Sequence, residues 1–463
     1  MKIRAGRGTP AKPLLELALA PFVRFSQVQS SGGLVLIACT AVALAWANSS
    51  YAPSYFALWE TPVSVGFGGL ILSKSLHHWI NDGLMAIFFF MVGLEIKREI
   101  LVGELSSPGQ AALPVAAAAG GMAAPALLFA LFNHGLPSFA GWGIPMATDI
   151  AFALGILSLL GDRIPVSLKV FLAAVAIVDD IGAVLVIAIF YSGDISLAAL
   201  AVGGGIFAAM ALLNFLGARH PAVYAVLGAI LWLAFLKSGV HATVAGVLAA
   251  MAIPARTRIG PEDFAAHARR LIDRFESSRA SDRPLLANPA QIAALESLEH
   301  ACRKAGAPLP RLEHGLHPWV AYGIMPLFAL ANAGVRLGGG TGMALGEPVS
   351  LGIMIGLVAG KQAGIFLTCL AMFRLRLASV PAGLGLGQYY GVACLAGIGF
   401  TMSIFIADLA FGQSGDLGGQ AKVAILAAST VAGILGYLVL QATTRKNGES
   451  AAQTVPTRAP DLE

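Results

Sequence analysis

The chain has 463 residues, 57% hydrophobic and only 12% charged, about half the charge density of a soluble globular protein. A net charge of +5 could suit a polyanion, but the basic residues fall between apolar segments, where they report membrane topology. A soluble domain and a nucleic-acid-binding protein are thereby excluded. Cys39, Cys302, Cys369 and Cys394 are the four cysteines and form no CxxC pair, so neither a disulfide framework nor a zinc site is indicated.

Residues 1–29 carry basic side chains and no cleavage site after a short apolar core, which predicts a cytoplasmic tail. A spanning helix needs about 20 apolar residues. Twelve spans are predicted, at 31–48, 78–96, 110–132, 141–160, 166–191, 196–216, 221–236, 240–254, 316–334, 348–372, 387–411 and 420–441. Between the first two, residues 62–74 (PVSVGFGGLILSK) have β-rich ends around Phe67-Gly68-Gly69 and predict a β-hairpin on the outer side. Residues 255–312 are polar, with six arginines from Arg256 to Arg279, and read as an amphipathic or partly disordered cytoplasmic insertion. The tail from Thr443 is polar and is expected to be disordered.

This layout puts 25 of the 30 Lys and Arg residues on the side of the termini, and four, Lys74, Lys237, Arg336 and Lys422, on the other. Both termini are therefore assigned to the cytoplasm. The thirtieth, Lys361, lies inside the tenth span.

Three further features mark a site within the membrane. Asp179 and Asp180 are adjacent in the middle of the fifth span, where each charged Asp costs about 2.5–3.5 kcal/mol on insertion scales. The fourth span carries Gly143 and Pro145 just before Thr148 and Asp149, and the eleventh carries Gly397 and Gly399 beside Thr401 and Ser403. Proline removes a backbone donor, and a break at membrane depth is tolerated only against protein or a wet cavity. One break alone reads as a kink. Paired breaks in two halves of a chain point to a transport site. Asp149, Lys361, Asp82 and Asp408 are further intramembrane charges.

The segments NDGLMAIFFFMVGLEIKRE (81–99), ATDIAFALGIL (147–157), AIVDDIGAV (176–184), LKSGVHATVAGV (236–247), HPWVAY (317–322) and GIGFTMSIFIADLAF (397–411) resemble the NhaA family of bacterial Na⁺/H⁺ antiporters. The likeness spans roughly residues 30–441. It implies an all-α polytopic protein of twelve transmembrane helices in inverted repeats, with the interrupted fourth and eleventh helices crossing at the ion site. It also implies a homodimer supported by the outer hairpin, in the bacterial inner membrane. By motif match, Asp180 and Asp179 correspond to the cation-binding and proton-carrying pair. Thr148 and Asp149 correspond to the unwound stretch. Lys361 corresponds to a buried lysine that pairs with Asp179 or offsets half-helix dipoles. Glu95, Lys97, Arg98 and Glu99, with Glu313, His314 and His317, and also His241, are the implied candidates for a pH response. Asp408 departs from members that carry a small residue there.

The chemistry agrees with the residue types. Na⁺ is a hard cation and takes oxygen ligands, which the two carboxylates, Thr148 and freed carbonyls could provide. Neighbours on a helix point about 100° apart, so one aspartate can face a cavity while the other faces the tenth helix. Buried acids beside each other titrate as a pair, and a site held in turn by protons and Na⁺ is an exchanger. No cofactor is called for; Na⁺, Li⁺ and H⁺ are the expected cargo. Exchange of K⁺ or another monovalent cation is the alternative within transport. An intramembrane aspartyl protease is the alternative outside it, but such proteases resemble one another in placing their aspartates on two helices, one in a GxGD motif. The pair here is contiguous and no GxGD occurs.

Overall fold

A computed structural model of the chain describes residues 31–67, 70–256, 260–278, 288–336, 345–378, 384–412 and 416–453. The expected N-terminal tail lies outside the described residues, as do Gly68 and Gly69 of the expected hairpin turn.

The chain folds almost wholly as helices. α1 (Ser31–Ala47) and α2 (Ala52–Glu60) precede a two-stranded antiparallel sheet, β1 (Pro62–Phe67) and β2 (Leu70–Ser75), in register Val65↔Leu72. A π-helical turn (Trp79–Leu84) leads into α3 (Met85–Val102), then α4 (Pro108–Asn133), a 3₁₀ segment (Pro137–Met146) and α5 (Ile150–Leu159). Next come α6 (Val166–Phe190), α7 (Leu197–Phe215), α8 (Pro221–Leu236) and α9 (Val244–Ala252). α10 (Pro261–Ser277) and α11 (Pro289–Ala305) are followed by α12 (Pro308–Trp319), a π turn (Val320–Ile324) and α13 (Met325–Asn332). α14 (Pro348–Ile355) runs through a π turn (Gly356–Gly360) into α15 (Lys361–Arg374), and the chain ends with α16 (Leu386–Ala396), α17 (Phe400–Phe411) and α18 (Asp416–Gln453). α4, α8, α11, α12 and α14 open on proline, whose fixed φ suits the first helical position and whose missing N–H is no loss there.

Among the described residues, five helical stretches are long and apolar enough to cross a membrane: Pro108–Asn133, Val166–Phe190, Leu197–Phe215, Pro348–Arg374 and Asp416–Thr444. Three bent helix pairs raise this to eight if each counts as one span. Leu131, Leu185, Ile189, Val202 and Phe215 point outward from these helices and are exposed, an apolar surface that only lipid or a partner would cover.

Small residues let the helices approach closely. A Cβ on Gly364 of α15 would lie 2.2 Å from the Gly120 carbonyl oxygen of α4, and one on Gly246 of α9 would lie 2.2 Å from the Ala86 carbonyl of α3. Such glycine contacts are how helices pack without a hydrophobic drive between them. α6 sits at the centre, packed against α3, α4, α5 and α16.

Some boundaries differ from the sequence reading. The fourth span breaks at Ala147–Asp149, after Gly143 and Pro145, because a 3₁₀ segment carries both residues. Among its described residues the 255–312 insertion holds α10, α11 and the first turn of α12; α10 and α11 bury Leu271, Ala294 and Ala301 where they pack. α18 continues to Gln453, ten residues past the start of the expected disordered tail, since ATTRKNGESAAQ supplies mostly helix-forming residues.

Candidate functional site

Two helix pairs, the 3₁₀ segment with α5 and α16 with α17, bend by 43° and 42° at their breaks. The breaks touch. Asp149 N donates to the Ile398 carbonyl at 2.7 Å. Ser403 Oγ donates to the Ile144 carbonyl at 2.7 Å. The single hydroxyl proton of Thr148 is shared between the Ala396 carbonyl at 2.9 Å and Asp179 Oδ2 at 2.7 Å. Each break therefore satisfies groups that the other leaves open, as buried backbone requires.

Charge is matched at the same point. Asp149 caps α5, its Oδ1 accepting from Phe152 N at 3.0 Å. Its Oδ2 accepts from Thr401 N at 3.1 Å and Thr401 Oγ1 at 2.5 Å, at the start of α17. One carboxylate thus serves two helix N-termini, where partial positive charge gathers. Lys361 does the converse: its ammonium donates to the Met146 carbonyl at the end of the 3₁₀ segment and pairs with Asp179 Oδ2 at 2.7 Å. Lys361, Asp179, Asp180, Asp149 and Thr148 are all buried.

The two central aspartates differ in their surroundings. Asp179 faces Lys361 and Thr148. Asp180 lines a cavity of about 690 Å³ that also meets Thr148, Asp149, Glu95, Lys169 and His317. Among the described residues, Asp180 Oδ1 has no hydrogen-bond partner, nor does Asp179 Oδ1. The cavity can thus offer carboxylate oxygens to a hard cation, while Asp149 already has both oxygens engaged.

Gly143 and Pro145 line the approach of neighbouring elements. Gly143 N donates to the Tyr191 hydroxyl at 3.2 Å, and Pro145 lies against Gly356, where a Cβ would come within 2.8 Å of the proline ring. Gly397 and Gly399 form the second break: a Cβ on Gly397 would lie 2.6 Å from the Leu357 carbonyl oxygen.

The remaining sequence candidates separate into two places. At the end of the molecule bearing α10 and α11, the loop end, Lys97 Nζ donates to the Met251 and Ile253 carbonyls at 2.6 and 2.5 Å. Arg98 bridges Glu313 Oε1 at 2.7 Å and Glu99 Oε1 at 3.0 Å, tying α3 to α12. Glu95 and His317 line the cavity. His314 is exposed and its Nδ1 meets the Pro310 carbonyl at 2.6 Å. His241 lies apart from these, toward the end bearing β1 and β2, the hairpin end: its Nδ1 meets Thr243 Oγ1 at 2.7 Å and its Nε2 lies 3.5 Å from Asp82 Oδ1.

Sequence reasoning noted Thr401 only as a neighbour of the second break, although it holds Asp149. It passed over Asn81 and Asn332, which bond to each other at 2.9 Å inside the protein. Isolated buried amides in apolar helices were the available signal.

Residues 23–440 match the family model described as Na⁺/H⁺ antiporter 1. The chain is 56% identical over 434 residues to the Na⁺/H⁺ antiporter NhaA of Oleidesulfovibrio alaskensis, covering 94% of this chain and 96% of that protein. It is 51% identical over 435 residues to the Na⁺/H⁺ antiporter NhaA of Koribacter versatilis, covering 94% of each. A third relative, Na⁺/H⁺ antiporter NhaA 2 of Sorangium cellulosum, is 49% identical over 438 residues, 94% of this chain and 92% of that protein. With the family model and these relatives matching along nearly all of its length, the chain belongs to the Na⁺/H⁺ antiporter 1 family, the NhaA antiporters, which are membrane-integral secondary transporters and not enzymes.

Proposed function

We propose that the chain is an electrogenic, pH-regulated antiporter that exports Na⁺, and also Li⁺, in exchange for external H⁺ across the bacterial inner membrane. In this reading it has twelve spans in inverted repeats and both termini in the cytoplasm, and it works as a homodimer joined through β1 and β2. The Lys and Arg bias supports the orientation and makes the loop end cytoplasmic. The exposed edges of the two-stranded sheet support pairing with a second copy.

The observation that carries the reading is Asp180 lining the cavity beside Asp179, which Lys361 holds. Na⁺ enters from the loop end and meets the Asp180 carboxylate. To gain a second carboxylate it displaces Lys361 from Asp179, with Thr148 Oγ1 at hand as a further oxygen ligand. Asp180 and the displaced Lys361 each give a proton to the loop end, and each takes one from the outer side when Na⁺ leaves, which restores the resting arrangement. If two protons replace one Na⁺, one net charge crosses per cycle, worth about 2.3 kcal/mol per 100 mV. An inside-negative membrane potential then drives Na⁺ out.

The test is addition of Na⁺ to everted vesicles that hold an acid-inside pH gradient. Wild type is expected to collapse the gradient on Na⁺ addition, and Asp180→Asn, present at equal abundance, is expected not to. A gradient untouched by Na⁺ from about pH 6.5 to pH 9, the range in which imidazoles and raised carboxylates titrate, overturns the reading. Running the assay with Li⁺ and K⁺ decides cargo. Repeating it with the membrane potential clamped decides electrogenicity.

A further inference from the structure

The cavity at Asp180 does not reach the hairpin end. A separate cavity of about 330 Å³ lies there, lined by Tyr55, Trp59, His77, Asn332 and Lys422 among others. Two layers stand between them. The inner layer is Phe405 of α17, whose ring lies 5.7 Å from that of Phe89, 6.2 Å from Phe328 and 5.4 Å from the His241 imidazole. The outer layer is polar. Asp408 Oδ1 pairs with Lys422 Nζ of α18 at 2.7 Å, and both side chains are largely buried. Asp408 Oδ2 accepts from Asn81 at 3.4 Å, Asn81 bonds to Asn332 at 2.9 Å, and His77 Nε2 meets Asn332 Oδ1 at 2.7 Å. Lys422, His77 and Asn332 are therefore both the floor of the outer cavity and members of this network.

Thr401, Phe405 and Asp408 follow one another at i, i+4 and i+7 on α17, one face of the helix. That face runs from the Asp149 carboxylate through the aromatic layer to the polar floor. α17 is also the helix that begins at the second break. A rotation or tilt of α17 relative to α18 carries Asp408 away from Lys422, because the two partners sit on different helices.

We propose that the Asp408–Lys422 pair is the outer latch of the transport path: it is made when the Asp180 cavity is open to the loop end and must break before the site opens to the hairpin end. The inference rests on the antiport reading for its purpose. Asp408 and Lys422 touch no cargo at Asp180; they are positioning residues that set the balance between the two open states. A largely desolvated pair that exists in one state only shifts that balance, while its loss in both states would shift nothing.

The experiment reads accessibility, which needs no transport. In a cysteine-free chain, Phe405→Cys places a sole thiol directly inward of the latch, with the aromatic layer already removed. A membrane-impermeant maleimide is applied from each face in turn. With the latch intact, labelling from the hairpin face is expected to be slow. Asp408→Asn or Lys422→Met is expected to speed it roughly tenfold, the factor carried by about 1.4 kcal/mol. The exchanged pair Asp408→Lys with Lys422→Asp, and the conservative Lys422→Arg, are expected to return it toward the slow rate. Unchanged labelling in both single variants overturns the proposal. So does a rise that is equal from both faces, which marks general loosening, or an exchanged pair that labels as fast as the single variants. If labelling follows the latch while Na⁺ fails to collapse a pH gradient, the antiport reading falls and the latch stands.

Discussion

Replacing Lys361 with methionine tests the centre of the site. The substitution keeps the length of the side chain and removes its charge. Asp179 is then left buried with Thr148 Oγ1 at 2.7 Å as its remaining polar contact at Oδ2, and the Met146 carbonyl loses its donor. Removing one member of a buried ion pair costs about 3–5 kcal/mol, because the surviving charge has no compensation. Removing both members together is often close to neutral. Lys361→Met is therefore expected to destabilise the folded protein by about 3–5 kcal/mol, and Lys361→Met with Asp179→Asn to recover most of that loss. SDS-titrated unfolding of the purified protein, followed by circular dichroism, measures both. A single variant within about 1 kcal/mol of wild type, the scale of an exposed ion pair, would refute the argument. A double variant no more stable than the single would refute it as well, since the damage would then come from lost packing.

Three further outcomes follow from other contacts. Thr401→Val removes the 2.5 Å hydroxyl bond to Asp149, worth about 1.5–3 kcal/mol as a bond to a charged group; Na⁺-driven gradient collapse is expected to fall at unchanged abundance and to be kept by Thr401→Ser, and equal activity in Val and Ser variants counts against the role. Gly364→Ala places a Cβ 2.2 Å from the Gly120 carbonyl oxygen, so α4 and α15 must separate at a cost of about 1–3 kcal/mol; an unchanged SDS unfolding midpoint would contradict the close contact. His317 lines the cavity with Glu95 and Asp180, on the route by which Na⁺ is proposed to reach Asp180. His317→Trp, which adds bulk to the cavity wall, is expected to raise the apparent KM for Na⁺ at unchanged abundance; an unchanged KM would count against entry of Na⁺ along this wall.

The helices were readable where hydropathy alone decides them. The seventh expected segment, 221–236, coincides with α8, and the fifth, 166–191, overruns α6 by one residue, because apolar runs end in polar or proline-bearing turns on both sides. The ninth was placed too late: α12 begins at Pro308, and Arg311, Glu313 and His314 in its first turns hold the local hydropathy down. The eighth was placed too long, since α9 spans nine residues and the preceding residues form turns that hydropathy does not distinguish from helix. Asp179, Asp180 and Lys361 were legible as misplaced charge in an apolar context. The Asp149–Thr401 bond and the Asn81–Asn332 pair were not, because they join residues about 250 positions apart and no local pattern encodes which polar group meets which.

The mutual bonds at the two breaks have a consequence for how this region tolerates change. A broken helix in isolation would be a soft spot, with amides open to water and free to exchange. Here Asp149 N–H is spent on Ile398 and the Thr148 hydroxyl reaches Ala396, so each break is the other's missing turn. The amide of Asp149 should be among the slower to exchange hydrogen in the fourth span despite standing at its interruption. Substitutions in one break will then be accepted or rejected by what occupies the other, and the two segments, far apart in the chain, will vary as a single inherited unit.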